Sequence, residues 1–114
     1  MVVNRYIPDR GDLVWLQFDP QAGHEQSGKR PALVISPSSY NSKVGLTLFC
    51  PVTSRMKGYP FEILIPQNLP IEGVILADQI KSLDWNSRQA IFICKVPQAI
   101  LDEVISKIDV LIHS

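Results

Sequence analysis

Six short runs of apolar, β-branched or aromatic residues, each bounded by Gly, Pro, Asn or Ser, dominate the chain up to Lys95. Such runs are typical of β-strands separated by turns. The linker PQNLP carries two prolines that cannot donate to a β-ladder, so we expect a turn there outside the sheet. The pattern predicts strands at Leu13–Phe18, Ala32–Ser36, Leu46–Val52, Phe61–Ile65, Val74–Ala77 and Ala90–Lys95.

The hydrophobic period changes after Pro97. Apolar residues then recur at spacings of three and four from Ile100 to Ile112, which predicts an amphipathic helix that covers one face of the sheet. A shorter helical turn is expected at Ser82–Arg88. Strands followed by one helix indicate a mainly β (α+β) fold, a small, curved antiparallel sheet or partly open barrel closed by a C-terminal helix.

Composition narrows the class of protein. A chain of 114 residues lies below the roughly 150 expected per domain, so residues 1–114 are predicted to form a single domain. The net charge is zero, but residues 1–60 hold seven basic and four acidic side chains, which permits a local anion-binding face as well as a simple mixture of solvated charges. No apolar run is long enough to cross a membrane, and a cytoplasmic protein is expected.

The cysteines and histidines argue against two common kinds of site. Cys50 and Cys94 lie within apolar runs and are expected to be reduced core residues. They are far apart, and only His24 and His113 could join them, so we predict neither a metal site nor a cofactor.

Three polar segments could carry chemistry. The loop Gln21–Arg30 holds His24, Glu25, Lys29 and Arg30, and its length suggests a binding loop rather than a flexible hairpin. The segment Thr53–Pro60 places two hydroxyls, Thr53 and Ser54, before Arg55, Lys57 and Tyr59. Cations beside an aromatic ring suit a polynucleotide, although an exposed turn is the simpler interpretation. The third segment contains Asp78, Gln79 and Lys81, where Asp78 could be a base, a ligand or a structural acceptor.

These groups match the needs of RNA cleavage by the 2′-hydroxyl. That reaction requires a base for the hydroxyl, cations for the phosphorane and a proton for the leaving 5′-oxygen, and it needs no metal. Glu25 or His24 could be the base and Arg30 a bidentate phosphate clamp, while Thr53 or Ser54 could donate to a phosphate oxygen.

Five motifs together resemble the MazF/PemK toxin family from one end of the chain to the other. They are RGDLVWLQFDP at 10–20, GHEQSGKRPALVIS at 23–36, PVTS at 51–54, KGYPFE at 57–62 and LADQIKSLDW at 76–85. The sequence is most similar to the chromosomal branch of that family.

The resemblance implies an SH3-like, CcdB-like barrel and the toxin half of a type II toxin–antitoxin pair. It implies a sequence-specific, metal-independent endoribonuclease that cuts single-stranded mRNA, leaves 2′,3′-cyclic phosphate and 5′-hydroxyl ends, and thereby stops translation and growth. It also implies a homodimer, a MazE-like antitoxin with an acidic tail, and binding of the antitoxin complex to its own operator DNA. Similar loops in the chromosomal branch suggest cleavage at an ACA-type site.

The resemblance also assigns roles to individual residues. Glu25 and Arg30 fall on the family's conserved loop motif, Thr53 falls on its essential threonine, and His24 and Asp78 match the Kid/PemK branch. In that branch an arginine two residues before the aspartate is the proposed acid, but this chain has Leu76 there, so Arg30 must do more. Contacts to RNA are expected from Lys29, Ser54, Arg55, Lys57, Tyr59, Gln79 and Lys81.

Two other functions compete with RNA cleavage. CcdB resembles this family in fold but poisons gyrase without being a nuclease, and fold alone does not decide function. A non-catalytic RNA-binding module would use the same cations only to hold the backbone.

Overall fold

The computed structural model of the chain describes residues 6–18 and 28–113. A short 3-10 turn, Ala77–Gln79, separates the fifth and sixth strands. In chain order the regular elements are β1 (Asp12–Gln17), β2 (Lys29–Val34), α1 (Ser38–Val44), β3 (Leu46–Thr53), β4 (Glu62–Leu64), β5 (Val74–Leu76), β6 (Lys81–Asp84), β7 (Ile91–Lys95) and α2 (Gln98–His113).

All strand pairs are antiparallel, and the strands lie in the order β4-β5-β3-β2-β1-β7. Strand β3 is the pivot of the sheet. One of its edges bonds to β2, while the other bonds first to β6 along residues 46–49 and then to β5 along residues 52–53. Within the described residues the ladder ends at β4 and β7, so the sheet is curved but open. The predicted mainly β fold with a C-terminal helix is confirmed.

The centre of the sheet, at β1 and β3, is buried on both faces, with successive strand residues pointing to opposite sides, whereas β6 and β7 are largely exposed. On β1, Leu13 belongs to the larger core cluster and its neighbour Val14 to a smaller one. Helix α2 completes the larger cluster with Leu101 and Val104. The smaller cluster lies on the other face around Phe49. The expected apolar stripe of α2 is therefore confirmed as a cover for one face of the sheet at Leu101 and Val104, whereas Ile105, Leu111 and Ile112, which were expected to belong to it, are exposed.

The predicted helical turn at Ser82–Arg88 is wrong in its first half. Lys81–Asp84 forms β6, a strand that was not predicted, because the first half of β3 needs a partner along its outer edge. Only the residues that follow make a turn, in which Asp84 Oδ1 accepts hydrogen bonds from the backbone N–H groups of Asn86 and Ser87 at 3.0 Å each.

Helix α1 was not predicted, since its sequence SSYNSKV has no apolar period. It is held instead by one buried amide. Asn41 donates through Nδ2 to the carbonyls of Pro8 (2.7 Å) and Ser36 (3.0 Å), and its Oδ1 accepts from the Ser36 hydroxyl at 2.6 Å. Helix α1 ends at Gly45, which has a left-handed φ of 83°.

Both cysteines are free thiols, as predicted. Cys50 is fully buried in the larger cluster, and this burial raises the pKa of its thiol to about 12, with a smaller contribution from the charge of Asp78. Cys94 is partly buried, and desolvation raises the pKa of its thiol as well. In the part of the chain that the structure describes, no helix has the length and apolar character needed to span a membrane.

Candidate functional site

Arg30 and Thr53 come together because of the register between β2 and β3. Ala32 lies opposite Pro51 in this antiparallel pair, so the same register continued for two residues sets Arg30 level with Thr53. Both residues point to the same face of the sheet, since side chains alternate along each strand. The guanidinium and the hydroxyl thus open into the same groove.

This basic groove extends along the end of β3 and into the segment that follows it. Three cations line it: Arg30, Arg55 and Lys57. Hydroxyl, amide and aromatic groups complete its wall, supplied by Thr53, Ser54, Tyr59 and Gln79. The structure therefore gathers seven of the predicted site residues around one surface depression.

The position of Thr53 is fixed by a close approach of the backbone. Gly73, at the start of β5, has a φ of 130°, and a Cβ atom there would lie 2.3 Å from the carbonyl oxygen of Thr53. Only glycine tolerates both conditions. The Thr53 hydroxyl accepts a hydrogen bond from the Arg55 backbone N–H at 3.1 Å, which turns the chain out of β3 towards the groove.

Asp78 is connected to the groove by a hydrogen bond from Tyr59. The phenol of Tyr59 donates to Asp78 Oδ1 at 2.9 Å, joining the segment after β3 to the 3-10 turn after β5. Desolvation raises the pKa of Tyr59, and the hydrogen bond and negative charge of Asp78 raise it further. Tyr59 is therefore a neutral donor at physiological pH, and one oxygen of Asp78 is already occupied.

Glu62 is a site residue that the sequence analysis did not single out. Its two oxygens accept hydrogen bonds from the backbone N–H groups of Lys57 (2.9 Å) and Gly58 (2.8 Å). Gly58 has a left-handed φ of 84°, so the turn reverses there and sets Lys57 and Tyr59 on the groove. The sequence signal for this turn is the glycine that lies four residues before the glutamate in KGYPFE.

Arg88 is a second residue that the sequence analysis missed. Its guanidinium donates to the carbonyls of Gln17 and Phe18, and its own carbonyl accepts from the Gln17 N–H at 2.9 Å. These contacts tie the turn after β6 to the end of β1. Arg88 therefore fixes the end of β1 at Gln17 and Phe18, although nothing in its local sequence indicates this long-range role.

Two predicted RNA-binding lysines lie apart from this cluster. Lys29 is exposed and points to the face of β2 opposite to Arg30, because neighbouring strand residues alternate. The ammonium of Lys81 lies 5.8 Å from the ring centroid of Phe18, in a cation–π contact. His24 and Glu25 lie outside the described residues.

The part of the site formed by the described residues is suited to binding a polyanionic strand with unpaired bases. Arginine forks and a lysine can neutralise phosphates, hydroxyls can donate to phosphate oxygens, and a tyrosine can stack on a base. Among residues 6–18 and 28–113, no three His, Cys, Asp or Glu side chains are grouped as metal ligands would be.

Comparison with known proteins gives a consistent result. Residues 9–112 match the family model described as PemK-like, MazF-like toxin of type II toxin–antitoxin system. The endoribonuclease toxin MazF of Escherichia coli K12 is 48% identical over 111 residues, covering 97% of this chain and 99% of the relative. The Escherichia coli endoribonuclease PemK is 31% identical, with 91% and 81% covered.

Solved structures agree with these matches. The crystal structure of MazF from Deinococcus radiodurans superposes with a TM-score of 0.88 at 55% identity, covering 96% of this chain and 100% of that one. A MazE–MazF crystal structure from the same organism gives a TM-score of 0.85 at 49% identity, with 95% and 97% covered.

The Glu62 clamp generates a structural prediction. In Glu62→Gln the amide can accept from only one of the two N–H groups, so the turn at residues 57–58 should open more often. We expect amide hydrogen exchange at Lys57 and Gly58 to accelerate roughly tenfold, which corresponds to about 1.4 kcal/mol. Glu103→Gln, which removes the same charge from an exposed position on α2, should leave these amides unchanged. Equal exchange in both variants would contradict the clamp.

Proposed function

Because the chain belongs to the family of PemK-like, MazF-like toxins of type II toxin–antitoxin systems, we propose that this endoribonuclease toxin cuts single-stranded RNA by attack of a 2′-hydroxyl on the adjacent phosphate. The products are a 2′,3′-cyclic phosphate and a 5′-hydroxyl. The relatives named above are endoribonucleases, which favours RNA cleavage over the gyrase-binding and purely RNA-binding alternatives.

The observation that supports this mechanism is the placement of Arg30 beside Thr53 in a groove that also holds Arg55 and Lys57. A phosphate bound there meets a guanidinium fork and a hydroxyl donor from two adjacent strands. Attack by the 2′-oxygen adds negative charge to the phosphorus centre, and fixed positive groups stabilise that charge more than they stabilise the ground state.

The proton transfers need a base and an acid. Glu25 is our choice of base, with His24 as its assistant, because the Asp78 carboxylate is already bonded to Tyr59 and is better suited to orienting that phenol. The base takes the 2′-hydroxyl proton, the new oxygen–phosphorus bond forms, and the bond to the 5′-oxygen breaks as that oxygen takes up a proton from water. Arg30 supplies charge stabilisation throughout the step.

The remaining cations and the aromatic ring would hold the RNA on either side of the cut. Lys57 and Arg55 neutralise neighbouring phosphates, and Tyr59 offers a face for an unpaired base. Ser54 and Gln79 add hydrogen-bonding groups along the wall. Lys29 and Lys81 contribute long-range attraction from outside the groove. By its similarity to the chromosomal branch, the chain is proposed to cut at an ACA-type site in cytoplasmic mRNA.

A MazE-like antitoxin is the partner, in keeping with the MazE–MazF complexes of similar sequence from Deinococcus radiodurans. We propose that an acidic antitoxin tail lies over the basic groove, with carboxylates where the phosphates of RNA would bind. A homodimer and the binding of the toxin–antitoxin complex to its operator DNA complete the proposal.

Purified protein should cleave a long single-stranded RNA in the presence of EDTA, since the proposed mechanism uses side chains alone. Mapping of 5′-hydroxyl ends should show cuts enriched at ACA. Strict dependence on added Mg²⁺ would contradict the mechanism, and binding without cleavage would favour the non-catalytic alternative. Cuts without enrichment of ACA would show that the loops of this chain set a different specificity.

Arg30→Ala should reduce the cleavage rate about 100-fold or more, because a preorganised group that binds transition-state charge contributes about 3 kcal/mol. Arg30→Lys should recover only part of the rate, since an ammonium lacks the bidentate fork. Lys43→Ala, which removes an exposed cation from α1, is the matched control and should cut normally. An Arg30→Ala variant with at least half the normal rate would show that Arg30 is not catalytic.

Binding of the antitoxin should be strongly salt-dependent if acidic groups replace phosphates in the groove. We expect the affinity to fall roughly tenfold or more between about 0.1 M and 1 M salt, over which the screening length drops from about 10 Å to about 3 Å. Calorimetry at several salt concentrations would measure this. An affinity indifferent to salt would indicate an apolar interface instead.

A further inference from the structure

A second depression adjoins the basic groove and has no role in the mechanism above. This side groove is lined by Ser54, Met56, Leu64, Ile65, Gln67 and Glu72, with Gly73 beneath. Ser54 and Glu72 also line the basic groove, so the two depressions are continuous. A strand bound across Arg30 and Thr53 would therefore have a continuous path into the side groove.

The side groove is built by the edge of the sheet. On β4, Ile63 points into the core, so its neighbour Leu64 points out and is 58% exposed. Met56, in the segment after β3, is also 58% exposed. The floor forms where the Ile65 N–H donates to the Gly73 carbonyl at 3.0 Å, and Gly73 lies directly against the backbone of Thr53 there.

The two depressions differ in charge. The basic groove holds three cations, Arg30, Arg55 and Lys57, beside Glu62 and the shared Glu72, whereas the described residues that line the side groove include Glu72 and no cation. A carboxylate repels a phosphate, so the sugar–phosphate backbone belongs on the arginine side. Two exposed apolar side chains and a few polar groups on the other side match the flat apolar faces and polar edge of a nucleobase.

We propose that the side groove is a nucleobase subsite, in which Met56 and Leu64 contact the face of the base and Glu72 reads its edge. This inference rests on the proposed function, since the occupant is a base of the RNA substrate next to the scissile phosphate. Glu72 is thus a specificity-determining residue of the cleavage reaction and takes no part in the proton transfers.

The chemistry of Glu72 determines which bases the subsite accepts. An ionised carboxylate only accepts hydrogen bonds, so it selects a base that presents an exocyclic amino group: adenine, cytosine or guanine. Uracil presents one N–H between two carbonyl oxygens, and those oxygens face the carboxylate with like partial charge. The subsite therefore discriminates against uracil at one fixed position beside the cut.

The test compares short single-stranded RNAs that share one cleavage sequence and differ in a single flanking base, varied at each position in turn. At one position, the protein should cleave RNAs with adenine, cytosine or guanine about 10- to 100-fold faster than RNA with uracil. Glu72→Gln should reduce this ratio to about threefold or less, since an amide both donates and accepts. Glu103→Gln is the matched control and should preserve the ratio.

Met56→Ala is a second test of the subsite. Its expected effect on KM does not follow from a purely structural role of Glu72. It should raise KM for all four RNAs alike, because contact with the face of a base does not depend on its identity. Unfolding curves of both variants establish whether either is destabilised. Should Glu72→Gln fail to fold, Glu72→Asp, which keeps the charge but shortens its reach, should weaken the discrimination in the same direction.

Each other outcome overturns the proposal. A base preference that is unchanged in Glu72→Gln excludes edge reading, and an equal loss of rate on all four RNAs places Glu72 at the reaction centre instead. A change only in antitoxin affinity assigns the side groove to the antitoxin. Complete lack of cleavage by the unaltered protein would refute the proposed function itself, which separates that failure from a failure of the subsite.

Discussion

Strand β3 forms backbone hydrogen bonds with three other strands along its two edges, and the rest of the molecule is arranged around this pairing. Its inner edge bonds to β2 in a register that sets Ala32 opposite Pro51. Its outer edge is divided, with β6 along the first half and β5 along the second. Because two strands leave the same edge at different points, the sheet curves there. The basic groove lies where β3 ends, next to β5.

The two ends of β3 have different physical characters. Near its start, Asn41 is fully buried and its side chain bonds to Pro8 and Ser36, so polar groups there are satisfied inside the protein. At its far end the cations of the basic groove are exposed and are not covered by any of the described residues. Their charge is therefore available to a ligand, while the buried network keeps the strand that carries them in place.

Acidic groups near the basic groove are largely engaged by the protein itself. Glu62 accepts two backbone hydrogen bonds, and Asp78 accepts one from Tyr59. These contacts orient groove residues and reduce the power of both carboxylates to repel a phosphate. Of the described carboxylates, Glu72 is the one that lies at the junction with the side groove, which is why the proposed base selectivity depends on it.

Local sequence determined the strands, the C-terminal helix and most of the site. Apolar runs bounded by turn residues located six of the seven strands that the structure describes. The helical spacing of apolar residues located α2, because burial of one helix face requires apolar side chains every three or four residues. Motifs indicated Arg30 and Thr53 as catalytic candidates and Tyr59 as a candidate RNA contact. The sequence did not reveal α1 or β6, since one is held by the single buried Asn41 and the other by the free edge of β3.

Tertiary structure alone decided which of these residues meet. Lys29 and Arg30 are adjacent in sequence, yet the alternation of β2 sends them to opposite faces, and the β2–β3 register selects Arg30 as the neighbour of Thr53. Glu62 and Glu72 are ordinary surface acids in the sequence. Their roles depend on backbone N–H groups and on a groove that exist only when β3, β4 and β5 are paired, because hydrogen bonds and surface shape are properties of the folded chain.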